Sequence, residues 1–165
     1  MDSVVQGCKA IFGGISRLFA ARHERLERAP GRRPQILAIV SPGPNLAILK
    51  TQSRHSGWSL SLSDAGRDAA RLRGLEVSPI IIYDRELSPS HWREMVRRFA
   101  REVPRPYVIL LSPNADANLW DELQRLGGSD ILRAPIDRDS LLGAVERGWQ
   151  FWRNQQQLRT PSTRP

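Results

Sequence analysis

Five short apolar runs, "QILAIVS" (35–41), "WSLSLS" (58–63), "PIIIYD" (79–84), "PYVILLS" (106–112) and "DILRAP" (130–135), recur along the chain with longer mixed stretches between them. Runs such as "IIIY" are continuous in β-branched and aromatic residues, as strands buried on both faces are, whereas 58–63 alternates in period two like a strand near a sheet edge. The connections are too long for hairpins, so each strand is predicted to be followed by a crossover to a parallel neighbour. Helices are read over "NLAILKTQSRHS" with Asn45 as cap, "DAGRDAARLRG" with Asp64 as cap and Gly74 near its end, and "PSHWREMVRRFARE" with Trp92, Met95, Val96 and Phe99 on one face. Two more follow over "DANLWDELQRLGG" and "DRDSLLGAVERGWQFWRNQQQ". The resulting fold class is α/β, a three-layer, doubly wound, five-stranded parallel sheet.

The 165 residues suffice for one such domain with extensions at both ends: 1–34 as an amphipathic basic helix and linker, 35–153 as the domain, and 154–165 as a disordered tail. The net charge of +8 sits in the extensions. Residues 1–34 carry seven Lys and Arg against three acids, and 147–165 carry four Arg and no acid, which leaves fourteen of each sign between 35 and 146. A basic groove on the body is therefore not indicated, while the extensions leave open binding to nucleic acid or anionic membrane. In the first segment Val5, Phe12, Phe19 and Leu26 recur every seven residues and form an apolar stripe. Three surfaces are open to that stripe: the chain's own domain, a second copy, or a membrane surface. No apolar run approaches the roughly 20 residues of a membrane span, and no secretory signal is visible, so a cytoplasmic location is expected. The single cysteine, Cys8, can form no intrachain disulfide.

The three histidines, His23, His55 and His91, lack metal-ligand spacing, and neither a Gly-rich phosphate loop nor a G-x-S-x-G motif is present. No independent enzyme is expected. Asp84 closes the third run, at the carboxyl end of its strand, where ligands bind in open α/β sheets. Position alone also suits a turn former or cap. Trp149 and Trp152 lie three apart on one face of the last helix with Phe151 pointing elsewhere, which makes them either a candidate interface or a cover for the sheet.

The order βαβαβαβαβα, with "YDRELSP" after the third strand, "ILLS" ending the fourth and "GGSDILRAPID" as the fifth, resembles the receiver domain of bacterial two-component response regulators. The resemblance covers about residues 35–153 and implies a flavodoxin-like fold. It also implies that Asp84 stands at the phospho-acceptor position and Ser112 at the hydroxyl that contacts the phosphoryl group. Two parts depart from the pattern. Ser41 and Pro42, or Val40 and Ser41 in the neighbouring register, stand where the acidic pair that holds Mg²⁺ belongs, and Ala134 stands where the lysine belongs. A hard divalent cation takes several oxygen ligands, for which Asp84 alone is a poor set. Arg133 is expected to project to the opposite face from Ala134. Pro135 matches a proline that is cis in many receivers.

These features predict a degenerate receiver that needs no cofactor, Mg²⁺ entering only if Asp84 is phosphorylated. Such a module works by contact with a protein partner, a histidine kinase or another signalling protein. It is expected to form a homodimer through Trp149 and Trp152 or through the Val5, Phe12 and Phe19 stripe. The alternatives are a stand-alone response regulator phosphorylated on Asp84, and a binding module that uses the basic extensions.

Overall fold

The computed structural model describes residues 33–63 and 78–159. Along them run β1 (Gln35–Ile39), α1 (Pro44–Ser56), β2 (Ser59–Leu62), β3 (Ile80–Asp84), a 3-10 turn (Arg85–Leu87), α2 (Trp92–Ala100), β4 (Tyr107–Ser112), α3 (Ala117–Leu126), β5 (Asp130–Arg133) and α4 (Arg138–Arg159). The stripe of Val5, Phe12 and Phe19, the helix predicted from Asp64 to Gly74, and residues 160–165 lie outside the described residues.

The strands pair in parallel in the order β2-β1-β3-β4-β5. Because β2 lies on one side of β1 and β3 on the other, the winding reverses at β1. The carboxyl ends of β1 and β3 therefore flank the crevice in which open α/β sheets bind ligands.

Period-two alternation sorts the apolar runs into two faces. Ile36, Ala38, Val40, Ile80, Ile82, Ile109 and Leu111 pack with Leu49 of α1 and with Leu141, Ala144 and Val145 of α4. Leu37, Ile39, Ile81, Tyr83, Val108 and Leu110 pack with Trp92, Met95, Val96 and Phe99 of α2 and with Leu119 and Leu123 of α3. Each buried aliphatic side chain contributes on the order of 1.5–3 kcal/mol, so these two clusters hold the three layers together. The outer helices are also tied to each other. Arg93 of α2 donates to both carboxylate oxygens of Glu122 on α3, which holds Glu122 below the usual carboxylate range.

Three details correct the sequence reading. First, α1 begins one residue early, at Pro44, with Gly43 as its cap and no side-chain capping bond. Proline's fixed φ suits the first helical position, and the shift frees Asn45. Its Oδ1 instead accepts from the Ile136 amide at 3.0 Å, joining the first turn of α1 to the loop that follows β5.

Second, α4 runs to Arg159, two residues past the helix read through Gln157, and Gln155, in the segment assigned to the tail, donates to the Arg105 carbonyl at 2.9 Å. Third, of the two roles left open for the aromatics of α4, an interface or a cover for the sheet, Trp149 and Phe151 have the second. Trp152 is buried, while Trp149 and Phe151 are partly buried against the same cluster, with the Phe151 ring 5.5 Å from that of Tyr107. Leu141, Ala144, Val145, Gly148 and Trp152 form the buried stripe of α4. Phe151, three residues past Gly148, and Trp149, three before Trp152, flank that stripe, so both of these rings reach the sheet.

Gly148 sits where α4 comes closest to the sheet. A Cβ at this position meets Tyr107 Cδ1 at 2.8 Å and Ile80 Cγ1 at 3.1 Å. Alanine is normally the better helix residue by about 1 kcal/mol. Here overpacking, at about 1–3 kcal/mol, outweighs that gain. Gly148→Ala is expected to lower the urea midpoint, and a midpoint at or above wild type would refute the close approach.

Candidate functional site

The site is built from the carboxyl ends of β1, β3, β4 and β5. Asp84 is the last residue of β3, pairs in register with Leu111 of β4, and is buried, with 7% of its surface exposed. Its Oδ1 accepts from the Glu86 amide at 3.0 Å, which caps the 3-10 turn, and its Oδ2 accepts from the Ser41 amide at 3.3 Å. Each carboxylate oxygen is thus held by a backbone N–H, one from its own turn and one from the loop after β1.

Ser112, at the end of β4, is fully buried. A hydroxyl offers one donor and two acceptor sites. Here Oγ donates to the Asn114 carbonyl at 3.0 Å, accepts from the Asn114 amide at 3.2 Å, and accepts from Arg85 Nη1 at 3.3 Å. Its bonding capacity is filled.

Arg85 follows Asp84 directly and carries no motif that marks it in the sequence. Its guanidinium carbon lies 5.7 Å from the ring centroid of Trp92, a fully buried residue that Arg93 also approaches at 4.8 Å. Arg85 Nε and the Trp92 indole N–H are buried with no acceptor. The guanidinium is therefore positioned by the ring and by Ser112, and its charge is also felt by Glu122 of α3. An arginine immediately after a strand-end aspartate, seven residues before a tryptophan, is the only hint the sequence holds.

Of the other predicted residues, Ser41 contributes its amide to Asp84, while Pro42 is exposed. Ala134 is half-buried, donates its amide to the Ser112 carbonyl at 2.9 Å, and is joined to Pro135 by a cis peptide. Arg133 is exposed, and no ion pair joins it to Asp84 among the described residues. The structure thus brings Asp84, Ser41, Ser112 and Ala134 to one end of the sheet, whereas Trp149 packs against the cluster beneath α4 and Trp152 is buried on the α4 stripe. Tyr83, just before Asp84, faces α2 and has its pKa pushed up to about 12, first by burial and then by the charge of Asp84. His91 precedes α2, is exposed, and lies within hydrogen-bond reach of the hydroxyls of Ser88 and Ser90.

No protein-family model matches the chain, and no curated protein matches its sequence. Solved structures do. A response regulator from Thermotoga maritima superposes with a TM-score of 0.60 at 19% identity, covering 71% of this chain and 98% of its own. A two-component response regulator from Clostridium difficile gives 0.61 at 19%, covering 72% and 97%. The signal receiver domain of an HD domain-containing protein from Pseudomonas fluorescens gives 0.63 at 22%, covering 74% and 99%. The fold is that of a receiver domain.

Receiver chemistry implies Mg²⁺, and the residues present at the carboxyl end of this receiver fold do not make a magnesium site. Ser41 and Pro42 bring no carboxylate, both Asp84 oxygens accept backbone amides, and the described residues contain no group of three His, Cys, Asp or Glu side chains suited to a metal. Octahedral Mg²⁺ is normally anchored by one or two carboxylates free to face it. No step is therefore derived through the ion.

Proposed function

We propose that this chain is a degenerate receiver, a signalling module that works by protein contact and does not undergo magnesium-dependent phosphotransfer. One observation carries the reading: the positions for the acidic pair and the lysine hold Ser41, Pro42 and Ala134, while Asp84 caps its own turn and accepts a backbone amide on each oxygen, at 3.0 and 3.3 Å. Phosphoryl transfer depends on neutralising charge on the transferring oxygens, and neither a metal site nor a lysine at position 134 supports that here. The module is not an enzyme on this reading. Its partner is a protein of a signalling system, a histidine kinase among the candidates, in the cytoplasm.

Incubation of the full chain with Mg²⁺ and acetyl phosphate, or with beryllofluoride, tests the proposal, with Asp84→Asn as control. Intact mass and tryptophan fluorescence are expected to stay unchanged in both proteins. A phosphate-sized mass gain or a fluorescence change confined to wild type would overturn the reading and favour the second one, for which the retained Asp84 and Ser112 speak: a phosphorylatable regulator. A homodimer is one form the protein contact can take, read directly by sedimentation at high micromolar concentration.

A further inference from the structure

We propose that Arg85 is an internal clamp that pins Ser112 and, through it, the loop leading into α3, so that this surface holds one arrangement without a phosphoryl group. The inference rests on the degenerate reading above and names how that site is regulated: by a cation belonging to the chain itself.

The clamp is a continuous series of contacts. Asp84 fixes the backbone at Arg85 by capping the turn through Glu86. The guanidinium then lies beside the Trp92 ring at 5.7 Å and donates Nη1 to Ser112 Oγ at 3.3 Å. Ser112 holds both the N–H and the carbonyl of Asn114, which folds the start of the loop back onto the end of β4. Two residues on, Asp116 caps α3 by accepting from the Leu119 amide at 2.8 Å. One end of this series is rooted in β3 and α2 and the other in the first turn of α3. A charged donor on a buried hydroxyl is stronger than a neutral one. Because the hydroxyl has no bonding capacity left, a newcomer can engage Ser112 only by displacing Arg85 or Asn114.

Hydrogen exchange on the full chain tests the clamp at the amides of Asn114 to Trp120, with the amides of β1 and β3 reporting that the fold is intact. Arg85→Ala is expected to speed exchange across Asn114–Leu119 by about tenfold, the scale of one lost charge-assisted bond. Arg85→Met keeps the apolar stem against Trp92 and is expected to do the same, so a folding defect of the alanine variant leaves the test standing. Ser112→Ala also removes both bonds to Asn114 and is expected to release the same amides at least as far, and adding either Arg85 substitution to Ser112→Ala to change exchange by less than about twofold, since Arg85 reaches the loop only through Ser112. Unchanged loop exchange in Arg85→Met, or effects of the two residues that multiply independently, would overturn the clamp. The same amides in wild type with Mg²⁺ and beryllofluoride test the underlying reading separately. A response there counts against the phosphate-independent module, while the Arg85–Ser112 comparison still reports on the clamp.

Discussion

Replacing Trp92 with alanine is expected to lower the stability of the domain by about 3–5 kcal/mol, the cost of emptying a large aromatic site in a close-packed core. That is a large share of the roughly 5–15 kcal/mol that holds a typical domain together. Trp92 has no exposed surface, belongs to the cluster of Met95, Val96 and Phe99, and is the ring against which both Arg85 and Arg93 rest. Its indole N–H is buried without an acceptor, so Trp92→Phe removes an unpaired donor along with some volume and costs much less. Urea unfolding followed by circular dichroism measures both variants. A midpoint shift equivalent to less than about 1 kcal/mol for the alanine variant, at unchanged slope, would mean that Trp92 is not the core anchor of the α2 layer.

The second large effect is a loss of stability in alkali. The Tyr83 pKa rises from 10.0 to about 12 on folding, through burial first and the Asp84 charge second. The neutral phenol is thus favoured in the native state, which keeps a proton that the unfolded chain releases. Stability from this group is fully present below pH 10 and falls as pH rises through the window up to about 12. A tenfold difference in proton affinity between the two states corresponds to about 1.4 kcal/mol, so the loss reaches at most roughly 3 kcal/mol. Tyr107, raised chiefly by its own burial, adds to the slope in the same direction. Urea midpoints measured from pH 9 upward for wild type and Tyr83→Phe provide the test. The variant is expected to lose less stability over this range, and parallel curves would show that Tyr83 has the same affinity for its proton folded and unfolded.

Much of the architecture is legible in the sequence because strand periodicity leaves a clear trace. In "IIIYD" and "YVILLS" every residue is buried, as continuous apolar runs in a covered parallel sheet require. The α2 face is readable for the same reason, since Trp92, Met95, Val96 and Phe99 repeat at helical spacing and are all buried. What escapes depends on contacts between distant segments. Asn45 reads locally as a cap, but its acceptor is used 91 residues along the chain. Gly148 carries no local signal for its role, which is set by Tyr107 and Ile80 on the sheet beneath it. Helical spacing leaves two roles open for the aromatics of α4, and Trp149 and Phe151 both pack inward because a helix lying close to a sheet is covered over a wider arc than a single stripe.

At the site, the residue types at Asp84, Ser112, Ser41 and Ala134 are visible in the sequence, but their bonding is not. Nothing local says that the Asp84 oxygens meet the amides of Ser41 and Glu86, or that Arg85 turns toward Ser112. Arg85 gives no local signal because charged residues beside turns are normally solvated, and only the Trp92 ring and a buried hydroxyl make this one different.

The bond from the Ile136 amide to Asn45 Oδ1 also makes that one proton a timekeeper of folding. Its acceptor lies at the start of α1 and its donor just before α4, so protection at Ile136 can arise only once the earliest and latest helices of the described domain share a face of the sheet. Pairings so distant in sequence are slow to form because loop closure must come before the contact that rewards it. In a pulse-labelling experiment Ile136 should therefore be among the last amides to be shielded, well after those inside α2 or α3, and its appearance would mark the moment at which the winding reversal at β1 is closed from both sides.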